Sequence, residues 1–142
     1  MAENILIVDD ELDMLELLEL IILDKTPYQV ATTNNPLEAL QMLAEKPFDL
    51  LITDLRMPAL SGLEVIREVR GQYPDLPVIV ITAYGSSESA EEAVRAGAYD
   101  YITKPFRKEH ILISIDRAME WRKMKTELAA LRSQRPPAPS GN

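Results

Sequence analysis

Apolar residues gather in four short runs along the chain: Ile5–Val8, Leu50–Ile52, Val78–Ile81 and the weaker Ala98–Ile102. Each is too short for a core helix, and the set is rich in β-branched and aromatic residues. Continuous runs of this kind predict strands buried on both faces, as in a parallel sheet covered by helices. A fifth strand is expected at Tyr28–Thr32, whose polar mixture marks a sheet edge. The intervals have helical length. Leu12 to Leu23 sets Leu15, Leu18 and Ile22 beside Met14, Leu17 and Ile21 at three- and four-residue spacings, which predicts a wide apolar face. Leu37, Leu40 and Leu43 repeat the pattern after Pro36, a first-turn residue. Leu63, Ile66 and Val69 follow Ser61-Gly62, with Gly71 expected to close the segment. Ser86 or Ser87 can cap a helix ending at Arg95, and Gly97 stands where a left-handed residue belongs. The order βαβαβαβαβα implies right-handed crossovers and an α/β three-layer sandwich.

The last element is longer than such a sandwich needs. Its helical pattern runs from Lys108 to Arg132, and Trp121, Met124, Leu128 and Leu131 form an a/d seam of about one and a half heptads. This predicts a dimerising or signal-carrying helix over residues 108–132, with a helix end packed on its own domain as the alternative. Residues 133–142 are Pro-rich and read as a disordered tail or linker.

Composition narrows the chemistry. The 142 residues suit one domain, and 46% hydrophobic with 27% charged residues is an ordinary globular balance. The absence of Cys excludes disulfides, thiolate metal sites and Cys nucleophiles, and a single His leaves almost no room for His-rich sites or Ser/His triads. The formal charge of -8 is unevenly distributed. Residues 1–106 hold 7 Lys and Arg against 19 Asp and Glu, net -12, whereas residues 107–142 hold 8 against 4, net +4. Such an acidic domain should not bind nucleic acid itself. No apolar run reaches the ~18 residues of a membrane span, and the start lacks a basic signal segment, so a cytoplasmic chain is expected.

Ligands of open parallel sheets bind beyond the carboxyl ends of the strands. Here those ends carry Asp9-Asp10-Glu11, Thr53-Asp54, Thr82-Ala83 and Thr103-Lys104-Pro105. Taken singly, an Asp pair after a strand is more often a helix cap, Thr82 a strand-end residue and Lys104 a solvated charge. Four complementary groups on four strand ends point to a site. Converging Asp9, Asp10 and Asp54 would repel one another unless a divalent cation neutralises them, and hard oxygen donors suit Mg²⁺. Lys104 adds a point charge for a phosphate, Thr82 a hydroxyl for one of its oxygens, and Asp54 a carboxylate nucleophile able to form an acyl phosphate.

The segments Val8-Asp9-Asp10-Glu11, Asp54-Leu55-Arg56-Met57-Pro58 with Gly62 eight residues past Asp54, Thr82-Ala83 and Lys104-Pro105-Phe106 closely resemble the receiver domains of two-component response regulators. The resemblance spans about residues 3 to 125, and a receiver domain is expected over 1–125. It implies a five-stranded sheet of order 2-1-3-4-5, the flavodoxin-like arrangement. It also implies that Asp54 is the phosphoacceptor for a sensor histidine kinase, and that Mg²⁺ is held by Asp10 directly, by Asp9 mainly through water, by Asp54 and by the Arg56 carbonyl. Thr82 and Tyr101 would be the switch pair, Lys104 the phosphate partner and Lys104–Pro105 a cis peptide. A homodimer is expected, through the face of the fourth helix, fifth strand and fifth helix or through the extended last helix. Asp-Leu-Arg-Met-Pro, Thr-Ala-Tyr-Gly and Gly-Ala-Tyr-Asp-Tyr-Ile-Thr-Lys-Pro-Phe are similar to receivers of sigma-54-dependent activators of the nitrogen-regulatory type, which implies a transcriptional output. Arg56 and Tyr84 beside the pocket are expected to slow water access. Two other classes fit less well. A haloacid-dehalogenase-like phosphatase needs a second Asp where Arg56 stands, and Asp9-Asp10-Glu11 would repel the phosphate of a flavin.

Overall fold

A computed structural model describes residues 3–83 and 85–134. Five strands and five helices alternate: β1 (Asn4–Val8), α1 (Leu12–Lys25), β2 (Gln29–Thr33), α2 (Pro36–Glu45), β3 (Leu50–Thr53), α3 (Gly62–Gln72), β4 (Val78–Thr82), α4 (Ser87–Ala96), β5 (Asp100–Thr103) and α5 (Lys108–Gln134). The strands form one sheet of order β2-β1-β3-β4-β5, with every neighbouring pair parallel. This is the α/β three-layer sandwich and strand order that the sequence predicts.

Alternation along the strands divides the interior in two. Ile5, Ile7, Leu50, Ile52, Ile79, Ile81 and Ile102 face α1 and α5. Leu6, Val8, Leu51, Val78 and Val80 face the other way, toward Ala39 of α2, Val65, Ile66 and Val69 of α3 and Ala93 of α4. Both sheet faces are therefore dry, which is why β1, β3 and β4 are continuous apolar runs, whereas β2 lies at an edge with only Thr33 fully buried.

The helix starts follow local chemistry. The side chains of Asn35, Ser61 and Ser86 accept hydrogen bonds from the backbone N–H groups of Leu37, Glu64 and Ser89, satisfying donors left open at a helix start. Pro36 occupies the first turn of α2, and Gly97 ends α4 in the left-handed conformation with φ 115°. Four details depart from the sequence reading. α3 runs through Gly71 to Gln72 and is closed by Tyr73, since a Gly within hydrogen-bonded turns costs less than breaking the helix early. In α2 the buried stripe is Pro36, Ala39 and Leu43, while Leu37 is exposed. In α1 only Leu15, Leu18 and Ile22 are fully buried, so its apolar face is wider than the contact it makes. α5 continues to Gln134, two residues beyond the expected end, and residues 135–142 of the proposed tail lie outside the described residues.

Met119 is the last buried residue of α5. Trp121 packs on Tyr99 with ring centroids 5.8 Å apart, and the Arg122 guanidinium donates to the Asp75 carbonyl (3.2 Å) and pairs with Asp49 (3.7 Å). Past these anchors Met124, Leu128 and Leu131 are exposed, so of the seam only Trp121 is folded onto its own domain. No described helix is long and apolar enough to cross a membrane.

Candidate functional site

The order β2-β1-β3 means that the chain leaves β1 to one side and returns on the other, opening a crevice between the carboxyl ends of β1 and β3. Val8 pairs with Thr53, so the next residues, Asp9 and Asp54, stand level across that crevice. The Asp54 N–H donates to the Val8 carbonyl at 3.3 Å and holds the two strand ends together. Both aspartates are buried, at 2% and 3% exposure, and so is Thr82 at the end of β4.

Lys104 enters from the end of β5. Its N–H donates to the Thr82 carbonyl at 2.8 Å, its peptide bond to Pro105 is cis, and its Nζ lies 3.1 Å from Asp9 Oδ2 and 3.2 Å from Asp54 Oδ2. A longer contact of 3.7 Å reaches Glu11. The remaining oxygens are also engaged. Asp54 Oδ1 accepts from the backbone N–H groups of Leu55 (2.6 Å) and Arg56 (3.4 Å), and Asp9 Oδ1 accepts from the N–H of Glu11 (2.9 Å). These bonds fix which way each carboxylate points.

The loop after β3 is drawn in by Gly62, whose N–H donates to the Leu55 carbonyl at 2.8 Å. A Cβ on residue 62 would stand 2.1 Å from the Asp54 carbonyl oxygen, so only glycine lets α3 start this close to the site. Ala59, at φ 74°, takes the left-handed turn that makes the approach possible.

Burial raises the Asp9 pKa, reinforced by the Asp54 charge and opposed by the Glu11 N–H and the Lys104 ammonium. For Lys104, burial pulls downward, but hydrogen bonding and charge from Asp9 and Asp54 outweigh it and the net shift is upward. The ammonium is held charged.

Among the described residues, Asp9, Glu11 and Asp54 can bring carboxylate oxygens within 4.8 Å of one another. One ammonium facing three carboxylates leaves two formal negative charges, and hard oxygen donors with that surplus fit a divalent cation such as Mg²⁺. The sequence reading put Asp10 in this group. Asp10 and Glu11 are both exposed at the rim, and the Glu11 carboxylate is the one that comes within reach of Asp9 and Asp54. The chain bends at Asp10, where the Glu11 N–H turns back onto Asp9 Oδ1, and the Glu11 carboxylate reaches to 3.7 Å from Lys104 Nζ. Arg56 is exposed beside Asp54, and Tyr84 lies outside the described residues. Tyr101 projects on the same sheet face as Val80 and packs against the second core.

Residues 5–116 match the family model of the response regulator receiver domain. The chain belongs to this family. The receiver is 46% identical over 103 residues to the response regulator PilR of Pseudomonas aeruginosa, a match covering 72% of this chain and 23% of that protein. It superposes on a crystal structure of NtrX from Brucella abortus with TM-score 0.87 at 33% identity, over 100% of this chain and 32% of the other. A solution structure of the beryllofluoride-activated NtrC4 receiver domain dimer is 34% identical, with TM-score 0.79 over 84% and 98% of the two chains. These similarities support a receiver of the nitrogen-regulatory type, the group that the finer sequence pattern resembles. The chain spans about a quarter of the length of the curated relatives it matches.

Proposed function

We propose that this receiver takes a phosphoryl group from the phosphohistidine of a sensor histidine kinase onto Asp54. The observation that carries the reading is Lys104 Nζ within 3.2 Å of Asp54 and 3.1 Å of Asp9, a cation already seated where phosphoryl charge would arrive. An Asp54 carboxylate oxygen attacks phosphorus, the new P–O bond forms as the P–N bond breaks, and the electron pair returns to the histidine nitrogen. With Oδ1 engaged by two backbone N–H groups, Oδ2 is the attacking atom, and Lys104 moves with it onto the phosphoryl oxygens.

Asp9, Asp10, Asp54 and the Arg56 carbonyl would hold Mg²⁺, with Glu11 at the same rim; the bound ion supplies neutralisation of carboxylate and phosphoryl charge. Thr82 supplies its hydroxyl to one phosphoryl oxygen. Tyr101 follows it inward and reshapes the surface of α4, β5 and α5. That surface or the extended α5 joins two copies, and the dimer controls an output attached through α5, transcription in the reading favoured by a relative named as a transcriptional regulatory protein. The acidic receiver itself does not touch nucleic acid, and the setting is the cytoplasm. The pocket also hydrolyses its acyl phosphate, and the Arg56 side chain at the rim slows the entry of water.

Incubation with a small phosphodonor and Mg²⁺, read by intact mass, tests the assignment. One added phosphoryl group is expected in wild type and none in Asp54→Ala. Equal labelling of both, or of neither, overturns it.

A further inference from the structure

The apolar residues of α1 fall into three rows. Leu15, Leu18 and Ile22 enter the core, and Met14, Leu17 and Ile21 line a groove with Pro105 and Phe106. Leu12, Leu20 and Leu23 lie on the other flank at 3.6 residues per turn, and they are 61%, 68% and 53% exposed. Three leucines in water along one helix flank are more than a solvated surface needs. Glu16 and Glu19 stand among them, and Glu11, Asp13 and Asp24 extend the negative charge to both ends of the helix.

The free end of α5 has the opposite character. Met124, Leu128 and Leu131 are exposed, and Lys125 and Arg132 border that seam. The two surfaces also match in length: α1 spans ~21 Å, and α5 beyond Arg122 spans ~18 Å. The receiver cannot satisfy one with the other within a single chain, because Lys108–Gln134 is one uninterrupted helix and cannot fold back.

We propose that a second copy of this chain lays the free end of its α5 along the Leu12, Leu20 and Leu23 flank of α1, reciprocally, in a two-fold dimer. Met124, Leu128 and Leu131 cover the leucines, and Lys125 and Arg132 face Glu16 and Glu19. The inference goes beyond the functional reading above by naming the counter-surface for α5, and it stands independently of phosphotransfer.

Paired charge reversals test it. Glu16→Lys/Glu19→Lys and Lys125→Glu/Arg132→Glu alter two exposed positions, Glu16 and Arg132, and two half-buried ones, Glu19 and Lys125, whose Nζ lies 5.4 Å from the Trp121 ring centroid, and circular dichroism melts check that both variants fold. Sedimentation equilibrium on the full chain, with and without beryllofluoride and Mg²⁺, should show each double variant self-associating about tenfold more weakly than wild type, since each then opposes like charges. An equimolar mixture should recover to within about threefold of wild type, because both interfaces of the mixed dimer are again complementary. Wild-type association of the α1 variant would mean that α5 pairs with itself. That result, a mixture no tighter than its components, or a wild type monomeric in both states up to ~1 mM, would each overturn the proposal.

Discussion

Gly62 sits against the backbone of Asp54 so closely that a methyl group on it would meet the Asp54 carbonyl oxygen at 2.1 Å. The contact is backbone to backbone, so no side-chain rotation relieves it. Gly62→Ala should therefore push α3 away from the end of β3, costing roughly 2–3 kcal/mol by overpacking. Because the displaced atoms carry Asp54, phosphoryl labelling of the folded variant should slow as well. Chemical denaturation and labelling rates check the two effects, and a variant with wild-type stability would mean that the loop gives way freely.

Asp9 offers a prediction with a defined sign. Its folded pKa is raised chiefly by burial, so the folded state binds that proton more tightly than the unfolded chain does. In metal-free protein, stability should fall as pH rises above the ordinary value of 3.8 through the elevated one. Asp9→Asn should remove this slope and add about 1 kcal/mol at neutral pH. Urea titrations with chelator across pH 4 to 7 measure it. Adding Mg²⁺ should stabilise wild type by ~2.7 kcal/mol at a hundred times its dissociation constant, and the variant by much less.

Lys104 has the same sign in a more alkaline range. Its pKa is raised in the folded state, so its contribution is fully present below 10.5 and is lost as pH climbs through the higher folded value. Lys104→Met leaves Asp9 and Asp54 facing each other without their shared cation. A loss of about 2–4 kcal/mol is expected at pH 7, the cost of breaking a buried pair from one side. The loss should shrink at pH 5, where Asp9 protonates more readily, and thermal melts at the two pH values test this.

Ser114 of α5 donates to Asp100 Oδ2, a bond that ties α5 to the first residue of β5. Ser114 is buried, and Ser114→Ala leaves that carboxylate oxygen without its partner, for an expected cost of ~1–2 kcal/mol. Hydrogen exchange should quicken in α5 and β5 more than in β1 or β3. Uniform quickening would show that the bond contributes only to global stability.

The sheet was legible in the sequence because β1, β3 and β4 are buried on both faces and must be apolar at every position, a pattern that survives without knowledge of partners. The edge strand β2 was legible from its polar mixture. Asp54, Thr82 and Lys104 stood out because a parallel sheet puts all its strand ends on one rim, so chemistry could be read from the residues at the carboxyl end of each run. What escaped notice depended on backbone direction or on contacts between elements. That Glu11 comes within 3.7 Å of Lys104 depends on the bend at Asp10, which the sequence does not display. Gly71 reads as a stop, but the N–H of Tyr73 bonds to Val69 and carries the helix past it. The α1 leucines look alike in a helical pattern, and only the placement of α5 and the sheet separates buried Leu18 from exposed Leu20.

The anchors of α5 also set a mechanical ratio. In a parallel sheet followed by an antiparallel helix, the acidic site lies at one edge and α5 leaves from the other, so news of phosphorylation has to cross the depth of the sheet. Beyond Arg122 the helix reaches Gln134 as a straight arm of ~18 Å, and each degree of tilt at the anchors displaces its tip by ~0.3 Å. A change at β5 too small to rearrange the core is thus enlarged at the tip, and the gain of the switch is set by how far the helix projects past Trp121 and Arg122.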